Sequence, residues 1–196
     1  MQSNIIELDV DGVVLDIHNY IGSYVGHLVP NFIGDEQISS WGMSELTAIH
    51  PELRGTIFKL FKDPRFMGSI PLFRDTIPSL RALYDLCSIK GLSICFNTNV
   101  DSQCVGVRNN TLDSIIKVTC MEANKVIQCN KDKVMLNSLV CVEDNAENLR
   151  KSSAPIKFLI RRGHNRTTTL KDIGKYEKGF IVPSMYHVVL KLTKIL

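Results

Sequence analysis

Two carboxylates lie two residues apart near the start of the chain, within the stretch Leu8–Val14 (LDVDGVV). The preceding residues, Asn4–Leu8, have the length and β-branched content of a buried strand that ends near a turn glycine. Side chains two apart in an extended chain point to one side, so Asp9 and Asp11 repel each other unless a cation or a shared proton compensates. Mg²⁺ prefers one or two carboxylates, several waters and substrate phosphate oxygens. The pair therefore suggests phosphate chemistry, and an Asp-x-Asp-Gly turn or part of a calcium loop is the alternative.

The same stretch resembles the first motif of the haloacid dehalogenase superfamily of aspartate-nucleophile phosphatases, hhhDxDGxh, where h is apolar. The resemblance implies that Asp9 attacks phosphorus and that Asp11 protonates the leaving oxygen and later activates water. The chemistry is consistent with these roles, because a carboxylate can form an aspartyl-phosphate and a second carboxyl group can carry the proton. Gly12 would let the chain turn sharply away from the strand end.

A second motif is expected at the end of the next strand. Residues 75–90 have apolar side chains at helical spacing, which predicts a helix that ends at Gly91. The following residues, Leu92–Asn99, have the pattern of a buried strand with a polar end. In the superfamily the second motif is a strand ending in Thr or Ser, whose hydroxyl and backbone donate to the phosphate. The resemblance assigns this role to Thr98, with Asn99 beside it as a substrate-binding residue. A strand that runs into an Asn-rich turn is the alternative.

The third and fourth motifs are a lysine and an acidic pair. Lys133 stands ten residues before Glu143, which resembles the spacing in the nucleotidase branch; Lys131 is the alternative, and both lysines could be solvated loop residues. Glu143 and Asp144 then stand at the carboxyl end of a predicted apolar strand. The resemblance implies that Mg²⁺ is the cofactor, held by Asp9, the backbone carbonyl of Asp11 and this acidic pair. Asp144 is the expected direct ligand and Glu143 the water-bridged partner, although the reverse order stays open.

Strands that alternate with helical segments predict an α/β fold. We expect a Rossmann-like parallel sheet of about five strands flanked by helices, with catalytic groups at the carboxyl ends of the strands. Residues 13–30 are predicted as a helix, Ser114–Cys120 as the third strand, Pro155–Ile160 as the fifth, and a closing helix follows. Short helical segments predict a small helical cap inserted after the first strand. The expected domains are a catalytic core of residues 1–16 and 71–196 and a cap of residues 17–70.

The substrate class rests on a narrower resemblance, to the 5'(3')-deoxyribonucleotidases. The opening motif matches that branch through Asp16, and the fifth strand leads into Arg161–Arg166, a loop that contains Asn as in that branch. Ile17 and His18 replace the branch's aromatic residue and Glu, and Asn145 replaces the Arg after the acidic pair. If the branch applies, Trp41 and Phe32 could stack on a nucleobase. The alternative is that each of these rings belongs to the core of the cap.

Composition limits the other function classes. The chain has 196 residues, 44% hydrophobic and 22% charged, with a net charge of +3. It has no run of basic residues, so we expect no nucleic acid as a partner, and no apolar run long enough to span a bilayer, so we expect no membrane. No signal-peptide pattern opens the sequence, so we expect a cytoplasmic protein. Six cysteines without CxxC spacing predict reduced, buried thiols.

Several alternatives remain at this stage. The chain could be a phosphatase of a sugar phosphate or another small metabolite, a phosphotransferase, or a non-catalytic interaction protein. A homodimer is one of the open oligomeric states.

Overall fold

A six-stranded sheet forms the centre of the computed structural model, which describes residues 3–26, 51 and 53–196. Every neighbouring pair of strands is parallel, in the order β3-β2-β1-β4-β5-β6. The α/β class and the parallel Rossmann-like sheet are thus confirmed, with one strand more than expected. The strands are β1 (Ile5–Leu8), β2 (Ser93–Asn99), β3 (Ala123–Gln128), β4 (Val140–Glu143), β5 (Ile156–Ile160) and β6 (Lys178–Val182).

Amphipathic helices connect the strands. In Thr76–Lys90 the buried side chains include Leu80, Leu83 and Cys87, and Gly91 ends the helix in the left-handed conformation, with φ of +64°. This helix was predicted with nearly the same bounds. The described α-helices are α1 (Ile17–Gly26), α2 (Leu53–Leu60), α3 (Pro64–Gly68), α4 (Thr76–Lys90), α5 (Val105–Thr119), α6 (Ala146–Lys151) and α7 (Met185–Ile195).

The register of the central strands brings their carboxyl ends to one level. Leu8 of β1 pairs with Phe96 of β2 and with Val142 of β4. The residue after Leu8 continues the ladder, because the Asp9 amide donates to the Val142 carbonyl at 3.0 Å. The strand order reverses between β1 and β4, and open α/β sheets bind ligands at such a point.

The predicted third strand, Ser114–Cys120, is wrong. These residues form the last turns of α5, and Cys120 caps that helix in the left-handed conformation. The run Ile115-Ile116-Lys117-Val118 has strand-like composition, but its burial follows a helix, since Leu112, Ile115 and Thr119 are buried while Val118 is 53% exposed. The third strand is Ala123–Gln128 instead, and β6 was not predicted.

The first helix also begins later than predicted. Val13 and Val14 lie in a tight turn after β1, where the amides of Val14 and Leu15 both donate to the Val10 carbonyl, and α1 starts only at Ile17. Of the six cysteines, all are free thiols and four are buried, whereas Cys120 and Cys129 are exposed. Among the described residues, no helix combines the length and the apolar character needed to cross a bilayer.

Candidate active site

Lys133 lies between two buried acids at the carboxyl end of the sheet. Its Nζ donates to Asp9 Oδ1 at 2.5 Å and to Glu143 Oε1 at 2.6 Å. The lysine side chain is only 5% exposed, so water screens this ion-pair triad weakly. Glu143 Oε1 also accepts from Asn148 Nδ2, and its Oε2 accepts from the Asn145 amide. Both oxygens of Glu143 are thus occupied by hydrogen bonds from the protein.

Asp144 differs from its neighbour in this respect. Its carboxylate is buried, and among the described residues neither oxygen has a hydrogen-bond partner; His164 Nε2 lies 3.4 Å from Oδ2. The backbone carbonyl of Asp144 accepts from Asn165 Nδ2 at 2.6 Å and lies 3.0 Å from His164 Nε2, so the loop after β5 holds this residue in place. Asp9, Glu143 and Asp144 bring oxygens within 4.8 Å of one another.

Gly12 is required by both backbone conformation and space. Its φ is +79°, and a Cβ at this position would stand 1.7 Å from Asp144 Oδ2. The turn after β1 therefore passes directly against the fourth-motif acid. Arg162 stabilises the turn, because its Nε donates to the Gly12 carbonyl at 2.7 Å. Its guanidinium carbon lies 3.8 Å from the centroid of the Phe73 ring.

Thr98 and Asn99 reach the same cavity from β2. The Thr98 hydroxyl is buried and, within the described part of the chain, has no hydrogen-bond partner, which leaves it able to bind a ligand oxygen. Asn99 instead links strand and loop, donating to the Asn130 carbonyl and accepting from the Asn130 amide. With Asp9, Asp11, Lys133 and the acidic pair, these residues line a cavity of about 210 Å³, here called the acidic cavity.

A second cavity of about 720 Å³ adjoins the first, and we call it the side cavity. Asp11, Asn99 and Lys131 line both cavities, so they stand at the boundary between them. The remaining wall is largely apolar. It includes side chains from α2, from the residues that follow it and from the end of β2, among them Ile57, Phe58, Phe61, Met67 and Val100.

A buried polar network supports the loop that carries Lys133. Glu7 in β1 accepts from Asn97 Nδ2, the Leu136 amide and Ser138 Oγ. Gln128 donates to Asn97 Oδ1 and to the Val134 carbonyl and accepts from the Val134 amide. Asn97 in β2 also donates to the Val134 carbonyl, so three strands bond the loop after Lys133, and before it Asn130 bonds Asn99 and Gln128. These bonds fix where the ammonium group lies.

Burial and like charges dominate the electrostatics of the acids. Burial and the neighbouring Glu143 raise the pKa of Asp9 to about 8, although Lys133 opposes the shift. Burial, Asp9 and Glu143 likewise raise the pKa of Asp144 well above its usual range. Burial alone would lower the pKa of Lys133, but the carboxylates of Asp9 and Glu143 outweigh it and raise that pKa. A bound cation would relieve this excess of buried negative charge.

Arg108 is a residue of the site that sequence reasoning missed. Its Nη2 lies 2.7 and 2.9 Å from the two carboxylate oxygens of Asp11. A signal for it existed, because Arg108, Leu112, Ile115 and Thr119 occupy one helical face and all four are buried. An arginine on the apolar stripe of a helix indicates a buried partner. Because Ser114–Cys120 was predicted as a strand, this helical face was not recognised in the sequence.

Comparison with known proteins identifies the family. A model of the family "5' nucleotidase, deoxy (pyrimidine), cytosolic type C" matches residues 3–177. The chain therefore belongs to this nucleotidase family. It is a phosphoric monoester hydrolase of the 5'-nucleotidase type, and its resemblance to the haloacid dehalogenase superfamily is confirmed. No curated protein matches the chain by sequence.

Solved structures support the fold of this nucleotidase. A haloacid dehalogenase-like hydrolase from Burkholderia xenovorans LB400 aligns over 100% of both chains with a TM-score of 0.56 and 13% identity. The L-2-haloacid dehalogenase from Xanthobacter autotrophicus, solved with chloropropionic acid covalently bound, aligns over 100% of both chains with a TM-score of 0.54 and 9% identity.

The predicted site residues divide into two groups. The structure brings together Asp9, Asp11, Thr98, Asn99, Lys133, Glu143 and Asp144 around the acidic cavity. Trp41 and Phe32, predicted to stack on a base, lie outside the described residues. The side chain of Asp11 faces Arg108 and does not take part in the carboxylate cluster of Asp9, Glu143 and Asp144.

Proposed function

We propose that this nucleotidase is a Mg²⁺-dependent phosphomonoesterase that acts on deoxyribonucleoside 5'- and 3'-monophosphates in the cytoplasm through an aspartyl-phosphate on Asp9. One observation carries the proposal: Lys133 bridges Asp9 and Glu143, and Asp144, whose carboxylate has no hydrogen bond from a described residue, lies beside them. This arrangement supplies a nucleophile, a lysine cation and a metal ligand at the carboxyl end of the sheet. The family match supports the nucleotide as substrate.

The donor set fits Mg²⁺. The cluster offers carboxylate oxygens alone, which this ion prefers, and the Asp144 carboxylate is buried with no hydrogen bond from a described residue. Such a group is costly to bury unless a ligand satisfies it. Asp144 and Asp9 would hold the ion together with the Asp11 carbonyl, while Glu143, whose oxygens are already occupied, would orient Lys133. When bound, the ion supplies charge that offsets the repulsion between a phosphate dianion and an attacking carboxylate.

The chain's own groups account for both halves of the reaction. Asp9 would bond to phosphorus as the bond from phosphorus to the ester oxygen breaks, and the proton of Asp11 would go to that oxygen. Lys133 and the Thr98 hydroxyl would stabilise charge on the phosphate oxygens. Asp11 would then take a proton from the water that cleaves the aspartyl-phosphate, which returns Asp9 and releases inorganic phosphate.

The position of Asp11 between the two cavities supports its assignment as the acid. A phosphate in the acidic cavity would place the leaving group in the side cavity, with Asp11 at the oxygen that joins them. Rings such as Phe58 and Phe61 give that cavity the apolar surface on which a nucleobase stacks. We propose that residues 17–70, which include α2, form a cap over this cavity.

Metal-free protein should lose stability as the pH rises, and Mg²⁺ should restore it. The folded-state pKa of Asp9, about 8, lies above its usual value of 3.8, so the folded form holds a proton that the unfolded form has lost between these values. In EDTA the melting temperature should therefore fall from pH 5 to pH 8. Mg²⁺ at about 100 times its Kd should add about 2.7 kcal/mol at pH 8, or roughly 5–10 °C for a chain of this length.

The variant Asp144→Asn tests whether the rise in melting temperature with Mg²⁺ depends on the proposed metal ligand. The variant removes a carboxyl group whose ionisation is opposed by burial, Asp9 and Glu143, so in EDTA at pH 8 it should melt above the wild type. It should also lose the rise in melting temperature with Mg²⁺. Asp132→Asn is the matched control, since Asp132 lines the same cavity but has a side chain that is 74% exposed. A Mg²⁺ shift that survives in Asp144→Asn would contradict the proposed ligand.

The substrate assignment is tested by phosphate release from a panel of esters, with Mg²⁺ and with EDTA. The panel contains deoxyribonucleoside and ribonucleoside 5'- and 3'-monophosphates and common sugar phosphates. Release from nucleotides that needs Mg²⁺ supports the proposal and reports the base preference. Release confined to sugar phosphates would retain the mechanism and replace the substrate, and no release from any ester would overturn the proposed function.

A further inference from the structure

Arg108 forms a buried ion pair with Asp11 and has no role in the mechanism proposed above. It lies in the second turn of α5, its side chain is 1% exposed, and Nη2 contacts both carboxylate oxygens of Asp11. Among the described residues its Nη1 is buried without a hydrogen-bond partner. A guanidinium so placed is costly to desolvate, and an apolar side chain often serves a fold equally well at such a position. Stability alone therefore does not account for an arginine here.

Arg108 lines neither the acidic cavity nor the side cavity, whereas Asp11 lines both. The arginine would thus touch neither the phosphate nor the leaving group, and any influence it has on the reaction passes through Asp11. A single nitrogen that bridges both carboxylate oxygens fixes the rotation of that carboxylate. A carboxyl oxygen can take part in more than one hydrogen bond, so the bridge leaves protonated Asp11 able to donate to the leaving oxygen and ionised Asp11 able to accept from water.

We propose that Arg108 is a positioning residue that holds the Asp11 carboxylate at the boundary between the two cavities. The inference rests on the proposed function, in which Asp11 protonates the leaving oxygen and later activates water. Proton transfer needs the donor and the leaving oxygen within hydrogen-bond reach. A carboxylate free to rotate would spend only part of its time in that orientation, and small misplacements in an active site cause large losses of rate.

The test uses leaving groups that differ in their need for a proton. The alcohol of a nucleoside monophosphate leaves as a poor anion and requires the acid, whereas p-nitrophenolate leaves without one. General acid catalysis contributes roughly 10²–10⁴-fold. Arg108→Met should therefore lower kcat/KM for deoxyribonucleoside monophosphates about 100-fold but lower that for p-nitrophenyl phosphate less than about tenfold. We compare kcat/KM because it covers only the steps up to aspartyl-phosphate formation.

A double-mutant cycle with Asp11→Asn identifies the route of the effect. If Arg108 acts through Asp11, adding Arg108→Met to Asp11→Asn should cause no further loss of kcat/KM on nucleotides. Multiplying losses would mean that Arg108 acts elsewhere and would overturn the inference. Arg81→Met is the matched control, because Arg81 also bonds a neighbouring element, the Val118 carbonyl, but lies in α4 with no contact to Asp11. It should leave both ester classes unchanged.

Arg108→Lys covers the case in which the methionine variant fails to fold. Lysine keeps the charge but not the planar guanidinium, so it should retain the melting temperature better and recover only part of the nucleotide activity. Equal losses on both ester classes in a folded variant would overturn the inference and leave the proposed function intact. A wild-type chain that is inactive on every ester would overturn the proposed function itself.

Discussion

Asp9→Asn should abolish phosphate release from every substrate of this nucleotidase, with a loss of roughly 10⁴-fold or more. The amide of asparagine is not a nucleophile, and the neighbouring carboxylates have other roles. Asp144 lies beside Asp9 but would be held by the metal ion. Glu143 is held by Lys133, Asn145 and Asn148, and Asp11 is held by Arg108. The fold should survive, because Lys133 keeps its contact with Glu143 and one of the mutually repelling acids becomes neutral.

The measurement combines steady-state release with acid-quench labelling. Substrate that carries ³²P should label the wild-type chain on the peptide containing Asp9, and the variant should carry no label. Asp113→Asn is the matched control: Asp113 lies on α5, is exposed and pairs with Lys125 of β3 away from the site, so this variant should keep full activity. More than about 1% residual activity in a pure, folded Asp9→Asn preparation would exclude Asp9 as the nucleophile.

Lys133→Met should lose both activity and stability. The variant leaves Asp9 and Glu143 buried without their cation, and breaking a buried pair in this way costs about 3–5 kcal/mol, or roughly 6–20 °C in melting temperature for a chain of this length. Activity should fall at least about 10³-fold, because phosphate and nucleophile would repel each other without the lysine. Thermal unfolding in EDTA and in Mg²⁺ and phosphate-release assays measure the two effects.

Lys131→Met is the control that the chain itself provides. Lys131 lines the same cavity from the same loop but is exposed, so its removal should change the melting temperature by less than about 2 °C. Its effect on kcat/KM should stay below about tenfold. If Lys131→Met were inactive and Lys133→Met active, the third-motif lysine would be Lys131.

Much of the site could be predicted because its parts lie where apolar runs end. β1, β2 and β4 are short apolar segments followed by polar residues, and parallel strands bring such ends to one edge of a sheet. Asp9, Thr98 and the acidic pair therefore converge for a reason that is visible in the linear pattern. Lys133 is different, because its loop has no periodicity. Its prediction depended on a spacing typical of the family, and the structure explains it through the network of Glu7, Asn97 and Gln128.

Only the structure could assign the secondary structure where a short apolar run fits both the strand period and the helix period. The apolar run Ile115-Ile116-Lys117-Val118 is compatible with either a strand or a helix, and packing of Leu112, Ile115 and Thr119 against the core selected the helix. β6 was missed for a related reason: its residues are mostly half-exposed, so the alternation that marks a strand is weak.

What the sequence determined by itself is the set of strand-end groups, because the positions of polar residues after apolar runs are local properties. Only the tertiary structure decided which partner each group has. Asp11 and Arg108 are 97 residues apart in the chain. Neighbouring elements place hydrogen-bond donors at the Glu143 carboxylate but, among the described residues, none at that of Asp144. Periodicity reports which side of an element is buried, whereas pairing depends on how distant elements pack.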